Sequence, residues 1–220
     1  MDVTVQVEDQ KRAAAEAAAR LVDDGMRVGL GTGSTVGFLL PALAARGLER
    51  IRYVATSPRT EAKARELGLP VEPFEALDRL DIAIDGADQI DPNGWLVKGG
   101  GAAHTREKIV AKAAERFVVI ASSDKEVERI GAPIPLELLR FGLAATRRAI
   151  GEVELRDVPT SPDGGVIADW HGDVGDPAEL ARRLEAEPGV AGHGLFPPSL
   201  VTDVVIARRE EIEHRRVGGG

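Results

Sequence analysis

The sequence predicts an α/β fold: a mostly parallel, Rossmann-like sheet with helices on both faces, plus a smaller ferredoxin-like α+β domain. Short apolar runs alternate with helical patterns through about residue 130, the signature of parallel strands joined by helical crossovers. After Gly131 the order becomes strand, helix, strand, strand, helix, strand, that of a split βαβ unit. A last apolar run, SLVTDVVIARR, can rejoin the first sheet. The expected domains are 1–130 with 200–220, and 131–199.

The elements follow in order. Residues from about Glu8 to Asp24 are strong helix formers, with Gly25 as the stop. RVGLG reads as a short buried strand, TGST as a turn, and Val36 to about Ala45 as a helix. IRYVAT is a strand, and RTEAKAREL is a helix stopped by Gly68. DIAID and FVVIAS are further buried strands, with the helix HTREKIVAKAAE between them. APIPLEL, EVELR, GVIADWH and GVAGHGLF read as the strands of the smaller domain, and FGLAATRRAIG and DPAELARRLEAE as its helices. RRVGGG reads as a loose end.

Composition narrows the functional classes. Among 220 residues, 28 Lys and Arg stand against 36 Asp and Glu, a net charge of −8. An acidic surface disfavours phosphate backbones, so no nucleic-acid partner is expected. A local cluster of donors can still bind a small anion. No cysteine is present, which excludes thiolate metal sites and cysteine nucleophiles. No apolar run approaches the length of a membrane span, and Glu16 interrupts AAAEAAARL, which is therefore no signal segment. A cytoplasmic protein without a membrane partner is expected.

Three segments carry chemistry. In LGTGST, Thr32, Gly33, Ser34 and Thr35 lie between a strand and a helix. Amides and hydroxyls there suit an anion; the same residues also suit a plain tight turn with Ser or Thr as N-cap. In DGAD, Asp85 and Asp88 flank Gly86 and Ala87 at a strand's end. Such carboxylates can exchange protons or hold sugar hydroxyls, or simply build a turn. Hard-cation binding is a weaker third reading, since no histidine cluster accompanies them. In KGGGAAHTREK, Lys98 precedes Gly99, Gly100 and Gly101, and Glu107 sits in the first turn of a helix. Glycines let backbone amides approach developing negative charge; alternatively Thr105 caps and Glu107 serves the helix dipole. His104, His171, His193 and His214 share no spacing and read as surface or loop residues.

Together GLGTGST, TSPRTEAKARELG, DIAIDGADQID, LVKGGGAAHTREKIVA and VIASSDKEV closely resemble, in this order, the ribose-5-phosphate isomerases of the A type. The likeness continues through PIPLEL and GDPAELARRLEAEPGVAGHGLF, nearly the whole chain. It implies interconversion of D-ribose 5-phosphate and D-ribulose 5-phosphate in the pentose phosphate pathway, with neither metal nor organic cofactor. It implies a small-molecule sugar phosphate as ligand and a homodimer or homotetramer. It places ligand contacts on Thr32 to Thr35, Asp85 to Asp88 and Lys98 to Gly101. It makes Glu107 the catalytic base and adds Lys125 and Lys11. Gln89 stands where many relatives have Glu, and His104 where Leu is common.

The chemistry agrees. One carboxylate can take a proton from carbon and return it to the neighbouring carbon, which suits Glu107. Lys98 and nearby amides can stabilise the enediolate. Asp85 is the candidate for opening the furanose ring, Asp88 for holding hydroxyls, and the TGST loop with Lys11 and Lys125 for the phosphate. Two rival classes are an amino-sugar phosphate deaminase, for which no histidine relay is found, and a sugar-phosphate sensor, which would lack the base and carry a DNA-binding segment.

Overall fold

A computed structural model of the protein describes residues 3–209 and 211–217. In chain order the elements are α1 (Val3–Ala19), β1 (Arg27–Leu30), α2 (Ser34–Ala44), β2 (Arg52–Ala55), α3 (Pro58–Glu66) and β3 (Ile82–Gly86). Next come β4 (Gln89–Ile90), β5 (Leu96–Val97), α4 (His104–Ala113), β6 (Phe117–Ser122), β7 (Ile134–Leu138), α5 (Leu143–Ile150) and β8 (Val153–Leu155). The rest are β9 (Val166–Trp170), α6 (Pro177–Glu185), β10 (Val190–His193), β11 (Leu195–Phe196), β12 (Asp203–Arg208) and β13 (Glu211–Arg216). The chain divides into two compact units. The first holds residues through Ala87, Arg106–Lys125 and the segment from Pro198 onward; the second holds Asp88–Thr105 and Glu126–Pro197.

The first unit is built on a six-stranded sheet in the order β13-β12-β6-β3-β1-β2. All pairs are parallel except β12–β13. Its central strands are buried on both faces: every residue of β6 is buried. Such strands read as continuous apolar runs rather than alternating ones. From β1 the chain moves to β2 on one side and then to β3 on the other. This reversal makes the carboxyl ends of β1 and β3 a topological switch point, where open α/β sheets take ligands. The core joins Leu30, Ile82, Ile84, Val118 and Ile120 of the sheet to Leu39, Leu40 and Leu43 of α2. Each fully buried leucine contributes roughly 1.5–3 kcal/mol. Ala14, Ala15 and Ala18 on α1 are wholly buried in the same cluster, small side chains that let the helix approach closely.

The second unit has a four-stranded sheet in the order β10-β7-β9-β8. Its pairs are all antiparallel, and α5 and α6 are the intervening helices, which is the ferredoxin-like arrangement. Leu136, Leu138, Ala168, Trp170, Leu180 and Leu184 form its core. A small sheet, β11-β5-β4, belongs to the same unit.

Several local expectations are corrected. Helix α1 ends at Ala19 rather than near Asp24. Bonds from Leu21 N to Ala18 O and from Val22 N to Ala19 O tighten its last turn, and Asp24 Oδ1 accepts from the amides of Glu49 and Arg50 instead. GVAGHGLF forms two strands, β10 and β11, that join different sheets. Arg215 and Arg216 are not a loose end: β13 runs through Arg216 and pairs with β12 along its length. The final GGG of that expected tail lies outside the described residues.

Candidate active site

In the first unit, the loop after β1 and the end of β3 meet at the switch point. Asp85 is 3% exposed. Its Oδ1 accepts from the amides of Thr32 (3.1 Å) and Gly86 (2.7 Å). Gly31 makes this possible, because a methyl group there would overlap the Asp85 carboxyl. The chain holds Gly31 in place with a bond from its amide to Ile84 O at 3.0 Å. Thr32 turns its hydroxyl inward to Thr56 and Ser57, both at 2.8 Å, with Thr60 3.4 Å away. Of the TGST residues, Gly33 and Ser34 are exposed and Thr35 half-buried.

Helix α2 begins at Ser34, with Gly33 as its N-cap and no side-chain cap bond. The reading of Ser or Thr as its cap is therefore corrected. By contrast, Ser57 caps α3 through Thr60 N and Asp176 caps α6 through Ala178 N. A helix start without a side-chain cap keeps its partial positive charge for an anion.

The two lysines lie in the same unit. Lys125 closes a short 3₁₀ turn after β6, and its Nζ lies 3.4 Å from Asp124 Oδ2. Burial pushes the Asp124 carboxyl up, but the Ser122 hydroxyl and Lys125 outweigh it and hold the group below its usual value. Lys11 on α1 pairs with Glu8 Oε1 at 2.6 Å. Its neighbour Gln10 accepts from both the amide and hydroxyl of Ser123, each at 2.9 Å, which ties α1 to the turn bearing Lys125. Glu107, in the first turn of α4, is 3% exposed.

In the second unit, Lys98 leaves β5 and is 3% exposed. Its amide donates to Gly194 O at 2.8 Å, and its Nζ lies 5.5 Å from the centroid of the Phe196 ring. Asp88 is exposed; its Oδ2 accepts from Gly100 N at 2.8 Å. Gly99 has φ 120°, and a Cβ there would meet Pro135 Cβ at 2.6 Å and His104 Nδ1 at 2.8 Å. Only glycine fits that position without strain. Gly101 is exposed beside it.

Helix α4 starts at His104, so Thr105 lies inside the first turn and does not cap it. The Thr105 hydroxyl is buried and has no hydrogen-bond partner among the described residues. Two histidines expected at the surface are buried: His104 is 0% exposed and His193 is 2%. His193 Nε2 lies 3.2 Å from Glu185 Oε1, and its Nδ1 accepts from Leu195 N. His104 opens a helix next to the glycine turn, and His193 ends a strand; isolated spacing carries no signal for either.

Sequence reasoning missed the β4–β5 hairpin that carries Lys98. Asp91 Oδ1 accepts from the amides of Asn93 and Trp95, both at 2.9 Å, and D-P-N-G is a turn signature that marks it. Among the described residues, no group of three or more His, Cys, Asp or Glu could hold a metal ion. No helix among them is long and apolar enough to cross a membrane.

A mostly parallel sheet with a topological switch point, and an acid kept from water at the end of β3, are the architecture of an α/β enzyme of small-molecule metabolism. The chain belongs to the ribose 5-phosphate isomerase A (phosphoriboisomerase A) family, whose model matches residues 52–211. It is 44% identical over 207 residues to "Ribose-5-phosphate isomerase A" of Caulobacter vibrioides, covering 87% of this chain and 91% of that protein. The crystal structure of ribose 5 phosphate isomerase A from Neisseria gonorrhoeae is similar, with TM-score 0.91 and 32% identity over 96% of this chain and 98% of that one. So is a D-ribose-5-phosphate isomerase in complex with phospho-erythronic acid, with TM-score 0.89 and 32% identity over 98% and 100% of the two chains.

Proposed function

We propose that this chain interconverts D-ribose 5-phosphate and D-ribulose 5-phosphate through an enediolate, in the non-oxidative branch of the pentose phosphate pathway. The observation that carries the reading is the burial of Glu107, 3% exposed in the first turn of α4. An acid kept from water in the first turn of a helix is a candidate for proton transfer. Two rival classes, a deaminase of amino-sugar phosphates and a non-catalytic sensor, are not favoured, since the relatives are isomerases.

In the proposed mechanism Asp85 moves a proton to open the furanose ring. Its carboxyl is already oriented by the Thr32 and Gly86 amides. Glu107 then takes the proton from C2 of the open aldose, the C2 electron pair forms the enediolate, and the negative charge falls on oxygen. Lys98 and the amides of the glycine turn stabilise that charge. Glu107 returns its proton to C1, and the hydroxyl proton originally on O2 ends on O1. Asp88 holds sugar hydroxyls. Ser34, Thr35 and the α2 amides, with Lys11 and Lys125, hold the phosphate, while Thr32 fixes the loop. A remote anchor of this kind contributes to rate by keeping the reacting carbons in register.

The same reading makes the protein a cytoplasmic homodimer or homotetramer that binds a small sugar phosphate, without a nucleic-acid or membrane partner. A coupled assay of ribulose 5-phosphate formation tests the activity. Phospho-erythronic acid, a carboxylate mimic of the enediolate, is expected to inhibit competitively. No ketopentose phosphate above the uncatalysed rate overturns the proposal.

A further inference from the structure

Three consecutive glycines pose a physical problem for a turn that must present amides accurately. Glycine loses more conformational freedom on ordering than any other residue, so a glycine turn stays put only if something outside it holds it. In the second unit that holder is visible. Arg156 follows β8, and Asp169 lies on β9. Arg156 Nε and Nη2 donate to Asp169 Oδ2 (2.7 Å) and Oδ1 (2.6 Å), a bidentate pair with both side chains 19% exposed. The remaining arm, Nη1, donates to the carbonyl of Gly99 at 2.7 Å. That carbonyl also accepts from Ala102 N at 3.0 Å, which closes the turn. On the other side of the same peptide, Gly100 N donates to Asp88 Oδ2 at 2.8 Å. The Gly99–Gly100 peptide is thus gripped at both ends, its carbonyl by Arg156 and its amide by Asp88.

We infer that Arg156 is a positioning residue for the isomerisation: seated on Asp169, it locks the Gly99–Gly100 peptide so that Lys98 and the turn amides meet the developing charge in a fixed orientation. This rests on the proposed role of the glycine turn. Arg156 touches neither the sugar nor the reacting atoms; it acts through one backbone carbonyl. A rigid fork suits this task, because the guanidinium presents several fixed N–H groups, and two can seat it on a carboxylate while a third reaches the carbonyl. A lysine in its place can make one of these contacts well but not all three.

The test uses the whole protein with Arg156→Met, Arg156→Lys, Asp169→Asn and the double variant Arg156→Met/Asp169→Asn. Steady-state kinetics on ribose 5-phosphate are paired with hydrogen exchange at Gly100–Ala102. Misplacing a catalytic turn by about 1 Å can cost about 100-fold, so Arg156→Met is expected to lose about 10- to 100-fold in kcat/KM, mostly in kcat. Arg156→Lys should recover part of that loss. Asp169→Asn should cost activity alone but nothing further in the Arg156→Met background, because it acts through the arginine. The turn amides should exchange at least about tenfold faster while those of β8 and β9 keep their protection. If Arg156→Met fails to fold, Arg156→Lys and Asp169→Asn carry the same measurements. The inference is overturned if the variants stay within about twofold of wild type, if the turn keeps its protection, or if protection collapses across β8 and β9 together. A wild-type protein without isomerase activity would instead defeat the proposed function, which keeps the two failures distinct.

Discussion

Thr32→Val separates a residue that holds the TGST loop from one that touches ligand. Valine keeps the branched shape of threonine and puts a methyl group in place of the hydroxyl. Two hydrogen bonds of 2.8 Å disappear, to Thr56 and to Ser57. Ser57 and Thr60 keep their 3.0 Å contact, and Thr60 still donates to Gly31 O at 2.9 Å. The Thr56 hydroxyl is left with no other side-chain partner among the described residues, at a position 1% exposed. A buried hydroxyl stripped of its partner costs about 1–3 kcal/mol. For a chain of this size each kcal/mol moves the melting temperature by about 2–4 °C, so Tm should drop by about 2–12 °C. The amide of Thr32 still donates to Asp85, so KM for ribose 5-phosphate should stay within about threefold of wild type at assay temperatures well below Tm. Differential scanning calorimetry and steady-state kinetics on one preparation make the comparison. An unchanged Tm with a tenfold higher KM would refute the reasoning and place the hydroxyl on the ligand.

Replacing Ser34 and Thr35 together by alanine removes two donors to the phosphate, each worth roughly 1.5–3 kcal/mol to a charged group. It should lower kcat/KM for ribose 5-phosphate while leaving any activity on free ribose unchanged; equal proportional loss on both substrates contradicts the phosphate assignment. At Asp203, burial pushes the carboxyl up, but bonds from Arg116, His214 and Thr202 outweigh it and hold the group far below the usual carboxylate range. A depressed folded value means the stabilisation is complete above about pH 4 and fades as pH falls below it. Asp203→Asn should therefore destabilise at pH 7 and flatten the acid limb of urea midpoints measured from pH 7 to 2; an unchanged acid limb contradicts this. Tyr53 is wholly buried, its hydroxyl has no hydrogen-bond partner among the described residues, and burial pushes its pKa up to about 12. Tyr53→Phe should leave stability unchanged or raise it by about 1 kcal/mol in urea unfolding, whereas a loss beyond about 1 kcal/mol would reveal a hidden partner.

The strands that carry the fold were readable because burial on both faces makes their centres continuous apolar runs: IAI within DIAID and FVVIA within FVVIAS need no tertiary information to be recognised. The strands that escaped are those without such a signal. β4 and β5 have two residues each, too few to show a period, and yet they carry Asp88 and Lys98 into the second unit. β13 has the single apolar residue Ile212 and is held by pairing with β12 rather than by burial. The candidate site was legible where several motifs coincide in order, and not where one residue acts from a distance. Nothing in EVELRDV announces that Arg156 reaches the carbonyl of Gly99, 57 positions away. Gly31 was equally silent, since its necessity lies in the Asp85 carboxyl packed against it. Buried His104 and His193 show the same limit, for burial of a lone polar residue is decided by its neighbours in space.

The central claim is that Glu107 carries the proton between adjacent carbons, and the turnover of Glu107→Gln tests it most directly. Glutamine keeps the size and hydrogen-bonding capacity of the buried side chain but cannot accept the proton. With ribose 5-phosphate as substrate, kcat should fall by about two to four orders of magnitude, while binding of a phosphosugar analogue and the melting temperature persist. A variant that folds, binds the analogue and keeps more than about a tenth of the wild-type kcat would contradict the account.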